Sequence, residues 1–168
     1  CHNSCPLAKT TNGFVADLVG SNPVIAFMFG TPTKGDVLAR KPLTSYGGLL
    51  YHTVLKPHKL TLDNVIVSHV LRCDTWKSPH YTYPTGYSRT RAELVCRGYD
   101  GLSRYSKGLP TVATSLKSWE PNWFGVTYSL SDARTLEAYQ ALFMADVEKA
   151  LRFAKAGFRP LLLGGLEP

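Results

Sequence analysis

The run Val24-Ile25-Ala26-Phe27-Met28-Phe29-Gly30-Thr31-Pro32 decides how this chain folds. Its unbroken apolar stretch does not alternate with polar residues and is closed by a glycine and a proline, the pattern of a strand buried on both faces of a parallel sheet. A second stretch of this kind, rich in Val and Ile, runs from Asn64 to Leu71. Between the two, Tyr46 to Leu55 is long enough for a helix, with the small residues Gly47 and Gly48 at its start. Strand, loop, helix, strand at this spacing predicts a βαβ unit, crossing over right-handed into a parallel sheet. Ligands of such sheets bind beyond the carboxyl ends of the strands, where the loop from Gly30 to Arg40 and the residues near His69 are expected to meet.

Working outward, length and composition predict one domain over residues 1–168. The chain has 168 residues, 44% of them hydrophobic, enough to bury about 70% of its unfolded surface in a single core. A formal charge of +7 and a pI near 9.3 create a positive field that favours a polyanionic partner. No apolar run approaches the roughly eighteen residues of a membrane span, and no charged-then-apolar leader is present. The expectation is a cytoplasmic monomer in a reducing compartment, with no membrane contact.

Towards the C-terminus, Leu136, Tyr139, Phe143, Val147, Ala150 and Ala154 recur at steps of three and four. They mark the apolar stripe of a core-packing helix from about Thr135 to Ala156, with Asp132 ahead of it as a candidate cap and Gly157 as its stop. The segment from Gly98 to Trp123 carries many Gly, Pro and Ser residues and Arg104, Lys107 and Lys117; a short strand is expected at Thr111 to Thr114.

Cys1, Cys5, Cys73 and Cys96 are the chain's four cysteines. A local pair completed by two distant sulfurs suits a metal or cluster that staples a chain terminus to a folded body. Two disulfides, a structural zinc and four unrelated buried thiols are the alternatives. Disulfides would suit a secreted chain, zinc ribbons bring their ligands in two tight pairs, and free cysteine also behaves as a small hydrophobe. Between Cys73 and Cys96 lie Trp76, Lys77, His80, Tyr81, Tyr83, Tyr87, Arg89 and Arg91. Cations interleaved with flat rings neutralise phosphates and stack on bases, as single-stranded or flipped nucleic acid requires. The plainer reading is a loop whose tyrosines cover the cysteine site.

Taken together, Cys5-Pro6-Leu7, the strand ending in Gly30-Thr31-Pro32, Pro42-Leu43 with Tyr46-Gly47-Gly48-Leu49-Leu50, and the strand running into Arg72-Cys73 resemble one family. That family is the iron-sulfur uracil-DNA glycosylases, family four of their superfamily. Its members carry Cys-x-x-Cys near the N-terminus, a Gly-Glu-x-Pro-Gly loop, a Pro-Phe-Val-Gly-x-Ala-Gly segment, an Asn shortly before a third cysteine, and a fourth cysteine after a variable loop. The likeness runs without a gap from Gly30 to Cys73 and resumes at the C-terminal helix. The first cysteine pair departs from the pattern, being spaced Cys-x3-Cys.

The resemblance implies an α/β fold of three αβα layers around a short central parallel sheet. It also implies a [4Fe-4S] cluster on Cys1, Cys5, Cys73 and Cys96, and DNA as partner. The DNA-facing candidates are Trp76, Lys77, Tyr81, Arg89, Arg91, Arg104, Lys107 and Lys117; Gly30, Thr31, Pro32 and Leu43 are the candidates to line the base pocket. Where the family has a water-positioning Glu, a stacking Phe, a base-reading Asn and a charge-stabilising His, this chain places Gly30, Leu43, His69 and Ser129. Cleavage of the N-glycosidic bond needs help for the departing anion and a placed water or carboxylate near the sugar. Asp36, in the same loop as Gly30, is the candidate carboxylate, with a solvated turn residue as its plain reading; His69 and Ser129 are the other catalytic candidates. The implied role is a DNA-binding or assembly module of replication or repair with degenerate uracil chemistry. An active glycosylase for uracil or another damaged base, and a protein-binding scaffold, are the alternatives.

Overall fold

The computed structural model describes residues 15–30, 32–69 and 118–165. The apolar run that opens the reading forms strand β2, Ile25–Phe29, every residue of it buried. It follows the short strand β1, Leu18–Val19. Helix α1, Lys34–Ala39, starts at Thr33 with a complete capping box. Helix α2, Gly47–Leu50, takes Tyr46 as its N-cap and continues directly into one π turn, Tyr51–Leu55. The expected helix from Tyr46 to Leu55 is therefore present, but it widens halfway. Thr53 lies in the widened turn, and its hydroxyl donates to the Leu49 carbonyl at 2.7 Å, a back-bond that competes with the regular ladder and bends helices.

Strand β3, Val65–His69, is fully buried like β2. Beyond it come β4, Trp123–Thr127, helix α3, Leu130–Thr135, helix α4, Glu137–Lys155, and β5, Pro160–Gly164. The five strands form one mixed sheet in the order β1-β3-β2-β5-β4. The predicted parallel pairing of β2 with β3 is present, in register from Ile25 opposite Val65 to Phe29 opposite His69. A wholly parallel sheet is not: β1 pairs antiparallel with β3. Only Gly20–Val24 separates β1 from β2, and a parallel crossover needs about a dozen residues.

The steps from β2 to β3 and from β4 to β5 move one place in the same direction across the sheet. Right-handed crossovers in one direction put their helices on one face. Ile25, Phe27, Phe29, Val65, Val67 and Leu162 accordingly pack against Leu50, Val54, Leu55, Phe143, Val147 and Ala150 in a single cluster. Phe27 stacks on Phe143 with ring centroids 6.3 Å apart. Ala26, Met28, Ile66, Leu161 and Leu163 form a smaller buried cluster on the other face, with Trp119 against it. The buried apolar residues of α2, its π turn, α3 and α4 belong to the first cluster, and the helical residue Trp119 lies against the second. This is a mixed α/β fold, and no described helix is long and apolar enough to cross a membrane.

The stripe expected on the C-terminal helix is present in Phe143, Val147 and Ala150, all buried, joined by Leu151. The cap is different. Leu136, in extended conformation and half exposed, occupies the N-cap of α4 with no side-chain bond, whereas Asp132 sits in the first turn of the separate helix α3. At the other end Gly157 takes φ +95°, and the Phe158 amide donates to the Phe153 carbonyl at 3.0 Å. A left-handed residue of this kind satisfies the last carbonyls of a helix, and glycine adopts it without strain. The strand expected at Thr111 to Thr114 lies outside the described residues.

Candidate functional site

The parallel strands end in one row. His69 of β3 lies opposite Phe29 of β2, Phe29 opposite Gly164 of β5, and Gly164 opposite Thr127 of β4. Just beyond that row opens a cleft of about 310 Å³, at the low end of the range for small-molecule sites. Its wall is assembled from the ends of β2, β3 and β5, the start of α1, Leu43, Tyr46 and the first turn of α3.

Two glycines close one side. A Cβ on Gly164 would lie 2.5 Å from the Phe29 ring, and one on Gly165, where φ is +68°, would lie 2.6 Å from the Ser129 Cβ. Both positions exclude any side chain, so the end of β5 can press against Phe29 and Ser129. Leu43 also has positive φ, +65°, a conformation that costs a branched side chain of order 1–2 kcal/mol. Its side chain packs against the main core cluster, and that packing holds the turn which presents Leu43 to the cleft.

Asp36 is only 2% exposed, so it is not a solvated turn residue. Its Oδ2 accepts from the Thr33 amide at 3.0 Å, and its Oδ1 accepts from the Thr44 amide at 2.8 Å and from the Thr44 hydroxyl. The Thr33 hydroxyl in turn accepts from the Asp36 amide at 3.1 Å. One carboxylate thus caps α1 and fastens the loop after β2 to the loop that carries Leu43. Ser129 is the N-cap of α3: its hydroxyl accepts from the Asp132 amide at 3.1 Å and lies 2.9 Å from the Asp132 Oδ2, to which it donates. A hydroxyl has one proton to give, and this one is engaged by Asp132. His69 is 4% exposed at the end of its strand.

Of the residues singled out in the sequence, Gly30, Asp36, Leu43, His69 and Ser129 all line this cleft. Pro32 is buried and is not among the residues that line it. Thr31, Trp76, Lys77, Tyr81, Arg89, Arg91, Arg104, Lys107 and Lys117 lie outside the described residues. So do Cys1, Cys5, Cys73 and Cys96. Among the described residues no group of three or more His, Cys, Asp or Glu is placed to hold a metal ion.

Sequence reasoning missed Phe29, Tyr46, Asp132, Gly164 and Gly165 as members of the site. The last two had a readable signal: Pro160-Leu161-Leu162-Leu163 closed by Gly164-Gly165 repeats the pattern of an apolar run ended by glycine. Tyr46 carries the Arg134 guanidinium over its ring, 4.7 Å from the centroid, a pairing between α2's cap and α3 that only the folded chain creates. Comparison with protein-family models and with curated proteins gives no match.

Proposed function

We propose that the cleft is the nucleobase pocket of a uracil-DNA glycosylase-like domain whose uracil chemistry is degenerate, and that the chain acts on DNA as a binding or assembly module of replication or repair. One observation supports the reading: Gly30, Leu43, His69 and Ser129, picked out by the motif pattern, line a single cleft at the carboxyl ends of parallel strands, together with Asp36 from the loop of Gly30. Gly30 and His69 stand at the ends of neighbouring parallel strands and meet in any such sheet, so Leu43 and Ser129 are what the motif pattern adds.

The same residues argue against uracil. Gly30 offers no side chain, Leu43 has no ring to stack, and the Ser129 proton is held by Asp132. Removing one group that stabilises developing charge costs about 10² to 10³ in rate, and here several are replaced. The net charge of +7 and the basic, aromatic segment between Cys73 and Cys96 supply the affinity for DNA. The cysteine quartet would hold a [4Fe-4S] cluster as a structural staple.

The test is a pair of measurements on anaerobically purified protein. About four irons per chain and a brown colour, lost in Cys73→Ala, are expected from a four-thiolate cluster. Incubation with uracil-containing single- and double-stranded oligonucleotides should leave them resistant to strand cleavage at abasic sites. Rapid release of uracil would overturn the degenerate reading, and a colourless protein holding one zinc would overturn the cluster.

A further inference from the structure

Helix α3 turns one face towards the cleft. Leu130 and Ser131 line it, and residues three and four positions apart are neighbours on a helix surface, so Arg134 continues that face one turn further on. Its guanidinium carbon lies over the Tyr46 ring, 4.7 Å from the centroid, and Tyr46 is itself part of the cleft wall. An exposed, fully charged side chain therefore stands against the aromatic wall of the cleft. Asp132 also lines the cleft, but at the capping end of α3, where its Oδ2 accepts from the Ser129 hydroxyl. Residues two apart on a helix do not face each other, so Asp132 does not pair with Arg134.

The plain roles of Arg134 use its charge and not its hydrogen bonds. A cation in the last turn of a helix, where Arg134 sits, complements the carbonyl end through charge alone. Attraction to a ring face engages the charge in the same way. Neither role occupies the five N–H donors of a guanidinium, a rigid fork that matches two oxygens of one phosphate. The ring also holds that fork in place before a ligand arrives, which lowers the ordering cost of binding.

We infer that Arg134 anchors the phosphate of the nucleotide whose base enters the cleft, with Tyr46 serving as wall for the base and as platform for the cation. The inference rests on the nucleobase reading above and adds to it the group that tells a nucleotide from a nucleoside. Ser131, one turn before Arg134 on the same face and part of the cleft wall, brings a hydroxyl donor to the same side of the ligand.

Deoxynucleosides and their 3′,5′-bisphosphates, which carry a phosphate on either side of the sugar, test the inference by calorimetric titration of the full chain. The panel covers the bases of DNA and uracil, and the base that binds best sets the comparison. Its bisphosphate is expected to bind at least about tenfold tighter than its nucleoside, as one charge-assisted contact to phosphate supports. In Arg134→Gln that ratio should fall towards one while the affinity for the nucleoside is kept. Arg134→Lys, which keeps the charge but not the fork, should lie between the two. Arg152→Gln removes an exposed cation near the far end of α4 and should leave the ratio as it is. A ratio near one in the unsubstituted protein, a ratio unmoved in Arg134→Gln, or one lowered as much by Arg152→Gln overturns the anchor and leaves the base pocket standing. Inorganic phosphate bound as tightly as the bisphosphate overturns it too, since Arg134 then serves a site for phosphate alone. If neither nucleosides nor bisphosphates bind, the base pocket itself falls and the anchor with it.

Discussion

Replacing Asp36 by Ala should destabilise the protein by about 3–5 kcal/mol. The carboxylate is 2% exposed and accepts from two backbone amides and a hydroxyl. A hydrogen bond to a charged group contributes about 1.5–3 kcal/mol and a lost N-cap partner about 1, but bonds to one carboxylate are not additive, so the sum is cut to the stated range. Thr33 is half-buried and Thr44 exposed, so the loss comes from the bonds to the charged carboxylate and the weakened cap rather than from donors sealed from water. Asp36→Asn keeps one acceptor oxygen. If that oxygen faces Thr44, the amide group meets the Thr33 N–H as donor against donor, and about 1–3 kcal/mol should still be lost. Urea unfolding followed by circular dichroism reads both values, and the Ala variant should melt about 6–20 °C lower. A double-mutant cycle with Thr44→Val should give a coupling of at least about 1 kcal/mol. A loss below about 1 kcal/mol in Asp36→Ala would refute the latch. Full stability in Asp36→Asn with abolished function would instead make Asp36 a group that acts on the ligand.

Phe143→Ala should cost about 3–5 kcal/mol in the same unfolding assay, because Phe143 is fully buried beneath Phe27. Gly165→Ala should cost about 2–4 kcal/mol, since the new Cβ meets the Ser129 Cβ at 2.6 Å in a backbone conformation that disfavours side chains; an unchanged midpoint would mean that the cleft wall shifts freely. For DNA, if roughly four cations touch phosphates, the logarithm of affinity for single strands should fall with the logarithm of salt at a slope near −3. Replacing Arg89 and Arg91 together should flatten that slope by about one to one and a half. Absence of binding to either form of DNA at low salt would turn attention to a protein partner.

The sequence by itself determined the elements that burial dictates. An apolar run without alternation can only be satisfied inside, so β2 and β3 were legible, and so was the helix whose apolar stripe holds Phe143, Val147 and Ala150. Their spacing dictated the parallel pairing, and Gly30, Leu43, His69 and Ser129, singled out in the sequence, line the cleft, whereas Pro32 does not. What only the tertiary structure decided is how each of those residues is employed. Asp36 read as a turn residue because its partner Thr44 is bound to it across a loop, while the capping box with Thr33, three residues before it, is a local pattern. Asp132 read as the cap of a long helix because nothing local announces that Leu136 breaks the chain into two. The antiparallel edge strand β1 follows from a connection too short to cross over, and the glycines at the end of β5 matter through rings and caps far away in sequence. Local chemistry sets which segments are buried; hydrogen bonds and close packing between distant segments set what the buried groups are left able to do.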